Sequence, residues 1–173
     1  YMLFEVVSNM IKLNKYNILI INKATKFSKI YLPQKLCNIN KNILIQQKFI
    51  YDELLKNCNL NSDVKKYKKL YISRHKGTKR IKNENEIIKL FRKYNFYILN
   101  PEAENFRNDI FLYKQANIIA GLDGSNLHNI VFSKNKANLI YISTQRDLVT
   151  NQVQCNKLNF TRVYYIPYYE KIR

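Results

Sequence analysis

The sequence predicts an α/β fold in which a parallel sheet is flanked by helices. From residue 69 onward, short apolar segments of strand length alternate with helical segments in the order β-α-β-α-β-α-β. The connections between them are short, and alternation of this kind is typical of parallel sheets. The chain of 173 residues is 46% hydrophobic and has only three glycines and three prolines, so it can bury a core and has no room for a flexible linker.

The first strand of this unit is expected at Lys69–Ser73, where Leu70 and Ile72 alternate with more polar positions. A basic loop over residues 74–82 follows. Asn83 is the expected N-cap of the next helix, because Glu86 stands at the spacing of a capping box. The remaining expected elements are a strand at Phe96–Leu99, a helix at Phe106–Gln115, a strand at Ile118–Ala120, a helix at Ser125–Phe132 and a strand at Ala137–Ile142.

The first third of the chain has a less regular pattern. Apolar spacing there predicts a helix at Phe4–Leu13, strands at Tyr16–Ile21 and Lys29–Leu32, an extended piece at Ile43–Ile45 and a helix over Gln46–Cys58. A lysine-rich stretch without periodicity, residues 59–69, then separates this region from the regular one. We therefore expect a boundary near Lys65, with one unit at residues 1–65 and another at residues 66–173.

The most informative segment is the turn between the strand at Ile118–Ala120 and the helix that starts at Ser125. Glycines at positions 121 and 124 allow close approach of the backbone to a ligand, and the helix start presents free N–H groups that suit a phosphate. The basic loop after Ser73 also follows a strand. Because ligands in parallel α/β sheets bind beyond the carboxyl ends of the strands, both loops are expected on one rim. This pattern predicts a phosphate or diphosphate site.

The net charge of +18 is compatible with several kinds of partner. The lysines are spread along the chain, and no nucleic-acid motif is present, so nucleic-acid binding ranks low. The apolar stretches are too short for a membrane span, and no signal peptide is visible, although the start at Tyr1 suggests a fragment. The three cysteines and two histidines match no metal motif, so no metal site is expected. The expected location is the cytoplasm, where the positive charge favours contact with the inner face of an anionic membrane.

Three segments in register resemble family 61 glycosyltransferases, which include bacterial capsular polysaccharide biosynthesis proteins. The first runs Leu70-Tyr-Ile-Ser-Arg74 and continues at Arg80 to Asn83-Glu84-Asn-Glu86. The second is the strand Asn95-Phe-Tyr-Ile98 with the acidic turn after it. The third is the turn from Gly121 to Phe132, which is similar to a family pattern Gly-x-His-Gly-Ala-x-Leu-x-Asn-x-x-Phe. The resemblance covers about residues 68–143, the C-terminal half of the family's fold.

The resemblance implies an inverting transferase of the GT-B type, with two Rossmann-like domains and the nucleotide-sugar donor on the C-terminal one. The N-terminal, acceptor-side domain would be incomplete in this chain. The implied donor is a nucleotide-diphosphate sugar, with UDP expected, the implied acceptor is a glycan or lipid-linked saccharide, and no other cofactor is implied. Asp123 stands where the family usually has a histidine and is the candidate base. The implied substrate-binding residues are Arg74, Arg80, Glu86, Gly124, Ser125, Asn126 and Asn129.

Simpler roles remain open for several of these residues. The two arginines are alternatively solvated loop charges, Glu86 is alternatively a capping residue, and Asn129 is alternatively bonded only inside its turn. Because Asp123 stands in place of the family's histidine, two alternatives stay open: an active transferase, or a non-catalytic carbohydrate-assembly protein with the same fold. The tyrosines near the end fit either an acceptor groove or a strand that packs its rings on the core (Tyr164, Tyr165, Tyr168 and Tyr169).

Overall fold

A computed structural model of the protein describes residues 21–32, 37–38, 42–43, 45–57, 65–74, 83–101, 106–133, 136–144 and 148–167. The helix expected at Phe4–Leu13 lies outside these residues, as does the expected strand at Tyr16–Ile21 apart from its last residue. Arg80 also lies outside them.

The centre of the fold is a parallel sheet of five strands. A short antiparallel pair, β1 (Cys37–Asn38) and β2 (Asn42–Ile43), precedes it. The sheet has the order β4-β3-β5-β6-β7, and every neighbouring pair in it is parallel. Its strands are β3 (Lys69–Ile72), β4 (Tyr97–Leu99), β5 (Ile118–Leu122), β6 (Asn138–Ile142) and β7 (Arg162–Ile166). The predicted α/β class with a parallel sheet is therefore confirmed.

Helices cover both faces of this sheet. They are α1 (Gln46–Asn57), α2 (Glu84–Lys93), α3 (Phe106–Gln115), a 3-10 helix (Ser125–Phe132) and α4 (Thr150–Leu158). Successive residues of a strand point to opposite faces, so Leu70 and Ile72 join the larger core with α1, α3, α4 and the 3-10 helix. Tyr71 and Ala120 face the other way and pack with α2. The sheet is thus buried on both sides between β3 and β5, as its near-continuous apolar strands require.

The strand order reverses direction between β3 and β5. From β3 the chain passes through α2 to β4 on one side, and it then returns through α3 to β5 on the other side of β3. The loops that leave the carboxyl ends of β3 and β5 therefore run to opposite faces and leave a crevice between them. This switch point is where open α/β sheets bind their ligands.

Four local expectations are corrected. Lys29–Leu32 is not a strand: residues 21–32 have no regular secondary structure, their side chains are exposed, and the described residues contain no strand paired with them. Asn83 makes no side-chain capping bond, so the expected capping box is not formed. The helix at Ser125–Phe132 is a 3-10 helix, and α4 was not expected at all.

Candidate functional site

The two loops expected on one rim meet at the switch point. Arg74 follows β3, and its guanidinium Nη1 donates a hydrogen bond of 2.5 Å to the backbone oxygen of Asp123, which follows β5. The guanidinium also lies against Gly124: a Cβ on that glycine would be 3.0 Å from Arg74 Cζ and 3.0 Å from its Nη1. The geometry therefore joins a cation from one loop to the helix start of the other.

Gly124 has a backbone conformation that suits only glycine. Its φ of 153° and ψ of 169° lie in a region that side chains with a Cβ rarely adopt. The Gly124 oxygen accepts the first bond of the 3-10 helix from Leu127 N at 3.0 Å. Ser125 is exposed and Asn126 half-buried at this first turn. The glycine thus brings the helix start close to the arginine guanidinium.

A second helix fixes the position of that turn. The hydroxyl of Tyr113, a fully buried residue of α3, donates a 2.7 Å hydrogen bond to the backbone oxygen of Asn126. Asn129, one turn further along, interacts through its side chain with the same tyrosine. This partner lies on α3 and not inside the turn of Asn129, and Asn129 also lines a cavity behind the 3-10 helix.

Glu84 is the residue that sequence reasoning missed at this rim. It is the first residue of α2 and is 2% exposed. Its Oε1 accepts a 2.6 Å bond from the backbone N–H of Arg74 and a 3.2 Å bond from the hydroxyl of Ser73. A carboxylate at a helix N-terminus is favoured by the helix dipole. Glu84 therefore ties the loop after β3 to α2 and orients Arg74.

The neighbouring Tyr71 hydroxyl interacts with Glu84. Burial raises the pKa of the Tyr71 hydroxyl well above its usual value, and the carboxylate of Glu84 raises this pKa further. The signal for Glu84 in the sequence was its place in the first helical turn directly after Asn83. Glu86, which we singled out instead, is exposed on α2.

The Asp123 side chain is held by a third loop. It is 6% exposed, and its Oδ1 accepts a hydrogen bond from the hydroxyl of Thr144, which follows β6. The backbone N–H of Asp123 donates to the oxygen of Ile142 at 2.9 Å. Burial raises the pKa of the nearby Tyr141 hydroxyl to about 12, with a further contribution from the Asp123 carboxylate. Asp123 thus links the ends of β5 and β6 and also borders the crevice.

The described part of the chain contains no group of three or more histidine, cysteine, aspartate or glutamate side chains that could hold a metal ion. None of its helices combines the length and apolar character needed to cross a membrane. Of the tyrosines near the end, Tyr164 and Tyr165 lie on β7 and are about half exposed. Tyr168 and Tyr169 lie outside the described residues.

A known protein family matches the sequence of this chain. No curated protein matches the chain. The sequence model described as Glycosyltransferase 61 matches residues 2–140, which is most of the chain and extends further toward the N-terminus than the three motifs. The protein therefore belongs to glycosyltransferase family 61.

Proposed function

We propose that the protein transfers a sugar from a nucleotide-diphosphate donor to a saccharide acceptor with inversion at the anomeric carbon. The observation that carries this proposal is the Arg74 guanidinium held against Gly124 at the switch point. We place the donor on the unit at residues 66–173 and the acceptor side on the N-terminal unit of a GT-B arrangement.

The diphosphate is the leaving group, so negative charge grows on it as the sugar departs. Stabilisation of such charge requires hydrogen-bond donors that are already in place. A guanidinium has several N–H donors in a planar fork, and the bond to Asp123 uses only one of its nitrogens. Together with the N–H groups near Ser125 and Asn126, Arg74 supplies the donors that a diphosphate needs. Arg80 is proposed to add a second cation from the same loop.

Asp123 is the proposed base. In an inverting displacement, the acceptor oxygen bonds to the anomeric carbon while the bond to the diphosphate oxygen breaks, and the acceptor proton passes to a carboxylate. Because Thr144 already donates to Oδ1 of Asp123, the proton would go to Oδ2. The low exposure of Asp123 requires the acceptor hydroxyl to enter the crevice to reach it.

Donor binding is tested by titrating the protein with UDP and then with other nucleoside diphosphates. Arg74→Ala is expected to weaken UDP binding by roughly 10-fold or more, because it removes a charge-assisted hydrogen bond worth about 1.5–3 kcal/mol. Arg92→Ala, which removes an exposed arginine of α2, is the matched control and is expected to bind UDP normally. Equal affinity in the wild type and Arg74→Ala would place the nucleotide elsewhere.

The base is tested by Asp123→Asn, which keeps an oxygen for Thr144 but cannot take a proton. UDP release from a UDP-sugar in the presence of acceptor saccharides is expected to fall by about 10²–10⁴-fold, with UDP affinity nearly unchanged. Thr144→Val removes only the hydrogen bond and is expected to retain most of the activity. Full activity in Asp123→Asn excludes this residue as the base.

Burial of Asp123 also favours the alternative, a carbohydrate-assembly protein that keeps the fold without turnover. That protein would bind UDP through Arg74 and release no UDP from any UDP-sugar. A basic nucleic-acid-binding domain ranks third and predicts an affinity for DNA or RNA that falls linearly in a log–log plot against salt.

A further inference from the structure

The edge of the sheet opposite the candidate site is strongly basic. All five parallel strands begin at this amino edge, and four of them open at residues that are paired in register with their neighbours, Lys69, Ile118, Asn138 and Arg162. These strands therefore start at one level. The segment that leads into β3, residues 65–69, carries four lysines.

Further cations lie where the chain enters the other strands. Arg92 and Lys93 end α2 before β4, and Lys136 precedes β6. Lys157 lies in the last turn of α4, and Arg162 opens β7. All five side chains are exposed. The helix dipole favours a cation in the last turn of a helix, which accounts for those of α2 and α4 but not for the others.

The described carboxylates of residues 65–167 lie at the other edge of the sheet. Glu84 and Glu86 are in the first turn of α2, and Asp109 is in the first turn of α3, so they lie where the strands end. Asp123 directly follows β5. The described part of the amino edge therefore carries positive charge only. We call it the basic edge and define it by residues 65–69, 92–95, 136 and 157–162.

An exposed aromatic ring stands at each end of the basic edge. Tyr94 lies before the outer strand β4 and is 57% exposed, and Phe160 lies before the other outer strand, β7, and is 63% exposed. Phe160 has φ 50°, a left-handed conformation that glycine adopts easily and phenylalanine rarely. The Phe160 ring thus strains the backbone and is mostly exposed, so packing among the described residues does not account for it.

We propose that the basic edge docks on the surface of a bilayer that contains anionic phospholipids. Such a surface attracts lysines and arginines over its whole plane, and aromatic side chains favour the zone between headgroups and acyl chains. A level edge with cations between two exposed rings matches both properties. The candidate site then faces away from the bilayer and stays open to substrates, because strands of this length separate the two edges by roughly 16 Å.

A single-stranded nucleic acid fits the same charge less well. Such a strand needs free ring faces on which successive bases stack. Tyr67 already stacks on Tyr97, with ring centres 4.0 Å apart, and the Lys65 ammonium lies 5.6 Å from the centre of the Tyr67 ring. Tyr94 and Phe160 stand four strand spacings apart, roughly 19 Å, which is too far for neighbouring bases.

Cosedimentation of the full chain with vesicles tests the proposal. Binding is expected to phosphatidylcholine vesicles that contain phosphatidylglycerol and not to those without it, and added salt is expected to weaken it. Arg162→Gln removes one charge of the basic edge and is expected to weaken binding about 5-fold. Arg107→Gln removes an exposed arginine at the start of α3, at the opposite edge, and is the matched control.

Three outcomes of this experiment overturn the proposal. The first is no binding to vesicles with phosphatidylglycerol, and the second is an equal loss of binding in Arg162→Gln and Arg107→Gln. The third is binding to a single-stranded DNA oligonucleotide without binding to the vesicles, which would assign the basic edge to nucleic acid. Because the vesicles carry no sugar or nucleotide, each result is independent of the proposed transferase function.

Replacement of Phe160 separates a lipid contact from a structural role. Phe160→Gly removes the ring and relieves the positive φ, so this variant is expected to melt no lower than the wild type. Its binding to the anionic vesicles is expected to be about 5- to 10-fold weaker, because an exposed aromatic ring no longer enters the interface. A lower melting temperature with unchanged vesicle binding would make the ring a structural element and overturn its role here.

Tryptophan fluorescence measures whether the ring enters the bilayer. The chain has no tryptophan, so Phe160→Trp introduces a single reporter. On anionic vesicles its emission is expected to shift to shorter wavelength and to be quenched by brominated acyl chains. Phe49→Trp, at an exposed phenylalanine of α1, is the control and is expected to show neither change. Absent quenching at Phe160, or equal quenching at both positions, overturns the proposal.

Discussion

Replacement of Gly124 by alanine tests the geometry of the rim most directly. The new Cβ would lie 3.0–3.1 Å from the guanidinium atoms of Arg74, and the backbone at φ 153° disfavours any residue with a Cβ. The guanidinium is the far end of a flexible side chain, so it can move away. We therefore expect two separable effects, a loss of stability from the backbone and a loss of ligand binding from the displaced arginine.

The backbone effect can be given a magnitude. A strained conformation of this kind costs about 1–3 kcal/mol. For a chain of this length, each kcal/mol lowers Tm by about 2–4 °C, so Gly124→Ala is expected to melt about 2–12 °C below the wild type. The displaced guanidinium is expected to add little to this loss. Its displacement would remove the proposed charge-assisted hydrogen bond to the diphosphate and so weaken UDP binding by roughly 10-fold or more.

A double-mutant cycle with Arg74→Ala separates the two effects. The Tm difference caused by Gly124→Ala is expected to be nearly the same with and without Arg74, because it comes from the backbone. The UDP effect is expected to disappear in the Arg74→Ala background, because the arginine that moves is already absent. The reasoning is refuted if Gly124→Ala melts like the wild type, or if the two substitutions weaken UDP binding additively.

Two further predictions concern buried groups. Glu84→Ala leaves the Arg74 N–H and the Ser73 hydroxyl without the carboxylate they share. Urea denaturation is therefore expected to show a free energy of unfolding about 1–3 kcal/mol below that of the wild type. Glu86→Ala, on the exposed side of the same helix, is expected to stay within about 0.5 kcal/mol of the wild type. An equal loss in both variants would contradict the role given to Glu84. Burial lowers the pKa of His128, so the unfolded chain takes up a proton at a higher pH than the folded one; the resulting stability is present above pH 6.5 and lost as the pH falls below it. Melting temperatures at pH 7.5 and 5.5 are expected to differ less in His128→Gln than in the wild type, and an unchanged difference would contradict this.

The strands of the sheet could be predicted because their pattern is simple. Leu70, Ile119 and Leu139 stand in apolar runs of strand length, each followed by a polar turn, and these runs are the buried strands β3, β5 and β6. The convergence of the Arg74 and Gly124 loops followed from parallel topology alone. Two loops that follow neighbouring parallel strands leave the same edge of the sheet.

Helix α4 could not be predicted from apolar periodicity because its inward face is polar. Gln152, Gln154 and Asn156 are buried there, and Gln152 Nε2 donates to Asn156 Oδ1 at 2.8 Å. In the sequence, such amide residues predict an exposed helix face, because polar side chains are buried only where other parts of the fold provide their hydrogen bonds. The prediction of a strand at Lys29–Leu32 was wrong for the opposite reason. Its apolar residues suit a strand, but no described strand lies beside them to provide hydrogen bonds.

The site was predicted only in part, because residue type and spacing do not show which carboxylate turns inward. Glu84 and Glu86 occupy the same first turn of α2, and only the start of the helix at Glu84 brings that residue beneath the loop after β3. The sequence could not predict Thr144 as a site residue for a similar reason, because its contact with Asp123 joins loops that follow different strands.

The anchoring of Arg74 at both ends has a consequence for affinity. A mobile surface arginine loses side-chain conformational entropy worth about 2 kcal/mol when it binds an anion. Here Glu84 fixes the main chain, and the Asp123 oxygen fixes the head group. The ordering is completed during folding, so a diphosphate that binds here as proposed would lose less of its contact energy to ordering the arginine and would bind more tightly.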